Sequence, residues 1–84
     1  MNRIINFREQ FELVNQPKEI IANCNTINII NIGTAIAVIN GVEIPAGGQY
    51  YVQGNENEFN ETRYVLSFSG AGTNSVYVIR KIYN

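Results

Sequence analysis

The chain reads as an all-β protein, a small antiparallel β-sandwich of immunoglobulin-like or jelly-roll-like type with about six or seven short strands. Three observations predict this. β-Branched and aromatic residues alternate with polar ones over short runs. Turn-forming clusters (Asn40-Gly41, Pro45 to Gly48, Gly70 to Gly72) punctuate those runs. No segment carries a convincing helical period. With 84 residues the chain holds one domain, and the expected division is an extended N-terminal arm over 1–16 and a single β-sandwich over 17–84.

The elements follow in order. In residues 4–14, Ile4, Phe7, Phe11 and Val14 sit at helical spacing. Ile5, Phe7, Phe11 and Leu13 equally share one face of a strand interrupted by Glu9. The favoured reading is an arm that becomes a strand near Gln10; a short helix is the alternative. Asn15-Gln16-Pro17 stops either element. Lys18 to Asn23 reads as a short strand and Asn23-Cys24-Asn25 as a turn. Thr26 to Ile32 places Ile27 and Ile29 on one face and Ile30 and Ile32 on the other, a strand apolar on both sides. Gly33 marks a bend. Thr34 to Ile39 sets Ile36 and Val38 opposite Ala35, Ala37 and Ile39, small residues that suggest close approach of the sheets.

Asn40-Gly41 between alternating apolar residues is the strongest hairpin signal in the chain, because both central positions of a type I′ turn need positive φ. Val42 to Ile44 is a short return that Pro45 ends, since proline donates no ladder bond. Gln49 to Gln53 follows, with Tyr50 and Val52 opposite Tyr51. Residues 54–62 form a polar, acidic loop in which Phe59 is expected to anchor onto the core. Arg63 to Ser69 alternates Tyr64, Leu66 and Phe68 with Arg63, Ser67 and Ser69, Val65 excepted. Ser75 to Tyr83 closes the chain with Val76, Val78 and Ile82 on one face and Tyr77, Ile79 and Tyr83 on the other, Arg80 and Lys81 falling on opposite faces.

Composition narrows the chemistry. The chain has no histidine, and all seven of its acidic residues are glutamates. A Ser/His/Asp triad or a Cys/His pair therefore cannot be built, and thiolate–imidazole zinc sites are excluded. Glu56, Glu58 and Glu61 lie in a polar loop with no pocket to separate their pKa values, so a carboxylate pair is not expected to work as acid and base. The same loop lacks the aspartates and turn glycine of an EF-hand. The glycine clusters precede neither a helix nor Lys-Ser/Thr, so they are not phosphate loops. No enzymatic activity, cofactor or metal is expected. Cys24, the one cysteine, reads as a buried structural thiol in a reducing compartment.

Six basic residues are scattered along a chain of net charge −1, which gives no stripe for a nucleic-acid backbone. No apolar run reaches the roughly 18 residues of a membrane span, and the N-terminus lacks the apolar core of a signal peptide. A small-molecule ligand is not expected. The tyrosines at 50, 51, 64, 77 and 83 leave a carbohydrate-binding module as an alternative, with a small regulator of a host protein as a further one.

Surface remains. A domain this small buries only about 60–65% of its unfolded surface and often relies on oligomerisation. Two strands are apolar on both faces, more than a two-layer sandwich can hide. The expected contacts are Phe7 and Phe11 of the arm and Tyr77, Ile79 and Tyr83 of the last strand, together with exposed strand edges. Arg80 and Lys81 are expected to meet the acidic loop 55–61 of another copy.

The run N-I-G-T-A-I-A-V-I-N-G-V-E-I-P-A-G-G-Q-Y, the acidic loop, R-Y-V-L-S-F-S-G and the closing V-Y-V-I-R-K-I-Y resemble small all-β structural proteins of tailed bacteriophages, which decorate capsids or form parts of head fibres and tails. The resemblance spans about residues 27 to 83. Among such phages the resemblance is in particular to the crAss-like group of gut Bacteroidales, whose AT-rich coding fits the thirteen asparagines and thirteen isoleucines. It implies a virion component made in the host cytoplasm and present in many copies, a homo-oligomer or the partner of a larger virion protein. It carries over no catalytic residue.

Overall fold

The computed structural model describes residues 4–84, and these contain strands and loops but no helix. The strands are β1 (Phe7–Val14), β2 (Lys18–Ile21), β3 (Thr26–Asn31), β4 (Ile36–Ile39), β5 (Val42–Ile44), β6 (Gln49–Val52), β7 (Arg63–Ser69) and β8 (Val76–Tyr83). They form two four-stranded antiparallel sheets, a front sheet ordered β1-β8-β3-β6 and a back sheet ordered β2-β7-β4-β5. This is the strand order of a jelly roll, not of an immunoglobulin domain.

The order has a simple origin in the sequence. β4 pairs with β5, β3 with β6, β2 with β7 and β1 with β8, each antiparallel. The whole chain is thus one long hairpin folded at Asn40-Gly41 and then rolled up. Asn40 and Gly41 have φ of 48° and 85°, as a type I′ turn requires. Asn40 also ties this tip to β7: its side-chain oxygen accepts the Val65 amide at 2.8 Å, and its own amide donates to the Val65 carbonyl at 3.0 Å. Rolling the ribbon adds two further pairings, β3 with β8 and β4 with β7, which close the two sheets.

Eight strands stand where about six or seven were expected, and the added one comes from the expected arm. Phe7 to Val14 pairs along its full length with β8, from Phe7 opposite Tyr83 to Val14 opposite Val76. The strand expected from about Gln10 begins at Phe7, so this segment is a sheet member and not a helix, and it pairs the backbone groups that β8 turns away from β3. The first three residues of the expected arm lie outside the described residues.

Between the sheets lies a core of Val14, Ile20, Ala22, Cys24, Ile27, Ile29, Ala37, Ile39, Ile44, Tyr64, Leu66, Val76 and Val78. Each large aliphatic side chain buried there stabilises the fold by roughly 1.5–3 kcal/mol. Asn31 is buried among them and fully used: its amide donates to the Ala35 and Ile44 carbonyls at 2.8 and 2.9 Å, and its oxygen accepts the Gly33 amide at 3.1 Å. Gly33 permits the close crossing that follows, since a side chain there would collide with the Thr73 carbonyl.

Candidate functional site

Period-two alternation gives each sheet an inner and an outer face. On the front sheet, registers place the outward residues in rows. Phe7 lies beside Tyr83; Glu9 beside Lys81 and then Thr26; Phe11 beside Ile79, Asn28 and Tyr51; Leu13 beside Tyr77, Ile30 and Gln49. Apolar and aromatic side chains dominate every row except the Glu9–Lys81 one. Phe11 and Leu13 are 57% and 60% exposed, so the described residues leave most of each side chain open to solvent.

The aromatic residues are organised across the β1–β8 ribbon. Phe11 stacks on Tyr77 with centroids 5.9 Å apart, and Phe7 meets Tyr83 edge to face at 6.3 Å. The Lys81 ammonium lies 4.3 Å from the Phe7 ring centroid and 5.1 Å from that of Tyr83, a cation–π arrangement on both rings. Such pairs hold the rings against the sheet and present their remaining surfaces outward.

Six of the seven residues expected as contacts therefore share one surface: Phe7, Phe11, Tyr77, Ile79, Lys81 and Tyr83. The seventh, Arg80, does not. It points between the sheets, where its Nε donates to the Ile21 carbonyl at 3.0 Å and its Nη1 to Glu12 at 3.0 Å. Glu12 also receives the Lys18 ammonium at 2.8 Å. The Lys18 hydrogen bond, followed by that of Arg80, holds the Glu12 carboxyl below its ordinary range against the opposing effect of burial. Arg80 is a clamp between β8 and β2, not a cation offered to another copy's acidic loop. The expected pairing of that loop with Arg80 is corrected accordingly: the parity of an alternating strand puts residue 80 inside if 77 and 79 are outside.

The acidic loop has its own anchor, which is not Phe59. That ring is 55% exposed. The anchor is Asn25, whose amide donates to the Asn55 and Glu58 carbonyls at 3.1 and 2.7 Å while its oxygen accepts the Tyr83 amide at 2.9 Å. A buried asparagine before a two-sided strand is the signal that could have found it, because its polar groups must be satisfied somewhere. A cleft of about 440 Å³ lies between this loop and the N-terminal segment, lined by Ile4, Ile5, Asn6, Glu56, Asn57, Tyr83 and Asn84.

The tyrosines do not form one platform. Tyr50 and Tyr64 pack edge to face with centroids 5.6 Å apart on the inner side, and only Tyr51, Tyr77 and Tyr83 face outward. Cys24 is fully buried, and burial pushes its thiol above the ordinary range. Among the described residues no group of three cysteines or glutamates comes together as a metal site would require. No family model, curated protein or solved structure matches the chain.

Proposed function

We propose that the chain is a non-enzymatic structural protein of a bacteriophage virion, made in the host cytoplasm, which docks through the outer face of its front sheet. The partner is another copy, a larger capsid or tail protein, or both. The observation that carries this reading is the run of apolar side chains across that face, with Phe7, Phe11 and Leu13 exposed and Tyr77 and Ile79 beside them half-buried. A monomer rarely leaves so large an apolar patch in water unless it is used for binding. The jelly-roll order adds support by analogy of architecture, since capsid domains are among the proteins built on it, although one fold serves many functions.

The test is recovery in particles. Virions of the phage whose genome carries this gene, banded by density, should contain the chain in many copies by quantitative mass spectrometry. A phage carrying Phe11→Glu should lose it from the particle while the soluble variant stays folded. Absence of the unaltered chain from banded virions would sink the virion reading.

A further inference from the structure

We infer that the occupant of the outer β1–β8 surface is the same surface of a second copy, joined by a two-fold axis running along the strands between β1 and β8. This deepens the docking reading above and rests on it. The argument is one of register. Such an axis carries β1 of one copy onto the position facing β8 of the other, at the same level along the strand, so each residue meets the mate of its own cross-strand partner. The registers are Glu9 with Lys81, Phe11 with Ile79 and Leu13 with Tyr77. Opposite charge then faces opposite charge twice, and apolar faces apolar elsewhere.

The charges fit this occupant in particular. Glu9 and Lys81 are the only charged side chains that the regular strands of the front sheet turn outward, one acid and one base side by side. Among the described residues Glu9 has no ion pair, and Lys81 is held over rings instead of over Glu9. The β1–β8 ribbon, with one charge of each sign and otherwise apolar or aromatic side chains outward, is self-complementary under this axis. Packed sheets cross at about 30°, and the Glu9–Lys81 level lies only about 5 Å along the strand from the middle of β1, where that rotation displaces side chains least. Eight-residue strands make a ribbon about 27 Å long and about 10 Å wide, roughly 270 Å² per copy and below the size of standard specific interfaces, so a weak dimer is expected.

The experiment is sedimentation equilibrium of the full chain across concentration. The unaltered chain should dimerise. Glu9→Lys and Lys81→Glu should each weaken the dimer by about a hundredfold, because each variant meets itself with like charges. An equimolar mixture of the two should dimerise again, since both facing positions of the mixed pair then carry opposite charges. A zero-length carbodiimide cross-link between Glu9 and Lys81 in a mixture of isotopically light and heavy unaltered chain gives a reading that needs no variant. Light–heavy cross-linked pairs support the interface. Failure of the mixture to dimerise, or cross-links within single chains only, overturns the inference while leaving the docking reading standing if Phe11→Glu still abolishes association. A chain that stays monomeric at the highest concentration also overturns it, and the particle experiment then decides the broader reading alone.

Discussion

The two outer faces of this sandwich are built by the same alternation and differ in surface chemistry. The front sheet turns Phe7, Phe11, Leu13, Ile30, Tyr51, Tyr77, Ile79 and Tyr83 outward, with one carboxylate, one ammonium and the uncharged polar Thr26, Asn28 and Gln49 among them. The back sheet turns Glu19, Arg63, Ser67, Ser69 and Glu43 outward, with Ile21, Val65, Ile36 and Val38 interspersed. Its one cross-strand ion pair, Arg63 to Glu19 at 2.8 Å, lies in open solvent. Inside, the sheets are alike: Ile27, Ile29, Val76 and Val78 from the front meet Ile20, Ala37, Ile39 and Leu66 from the back. The difference teaches that folding needs only one apolar face per sheet, so the chemistry of the second face is free to differ from one sheet to the other.

Truncations in the core should erase the contrast. Ile29→Ala behind the front face and Leu66→Ala behind the back face should each cost about 2–5 kcal/mol in urea unfolding, because both leave cavities in the same core. A cost well below this range at either site would mean that its side chain does not help hold the shared core together. Next in size is the clamp that joins the sheets. Arg80→Ala should cost about 2–3 kcal/mol by the same measurement, since it strands Glu12 and the Ile21 carbonyl with fewer partners.

Acid should loosen the same corner. The folded-state pKa of Glu12 is depressed, so its contribution is present above the unfolded-state value and is lost as pH falls through the folded one. Melting temperature should therefore fall below about pH 4.5, and Glu12→Gln should flatten that fall. A variant that keeps the full acid sensitivity of the unaltered chain would assign it to other carboxylates.

Outer-face changes separate the sheets most sharply in association and least in stability. Phe11→Glu and Ser67→Glu should each change unfolding free energy by no more than about 1 kcal/mol, yet only Phe11→Glu should abolish self-association in light scattering. Equal loss from both would remove the distinction between the faces. Smallest of all, Arg63→Ala should cost about 0–1 kcal/mol, as exposed ion pairs do.

Much of this was legible along the chain. The alternation of Tyr77 and Ile79 against Val76 and Val78 follows from strand period alone, and so does the shared face of Phe7, Phe11 and Leu13. The Asn40-Gly41 turn is readable because its residues are chosen for positive φ. Arg80 reads in the sequence as a surface contact because a charge on a strand suggests exposure. Glu12 and the Ile21 carbonyl, brought together only by folding, make its interior position tolerable. The role of Asn25 is hidden for the same reason, since the carbonyls it binds are some thirty residues away.

By itself, then, the sequence determined the strands, their two faces and the central turn, because these depend on neighbours one to four residues apart. Tertiary structure alone decided that the hairpin rolls into a jelly roll and that Phe7–Val14 belongs to the front sheet. It also decided that β1 and β8 lie side by side with Glu9 at the level of Lys81. Those outcomes depend on pairings such as β3 with β8 and β1 with β8, whose partners are far apart in the chain and are selected by burial of the common core and satisfaction of backbone hydrogen bonds.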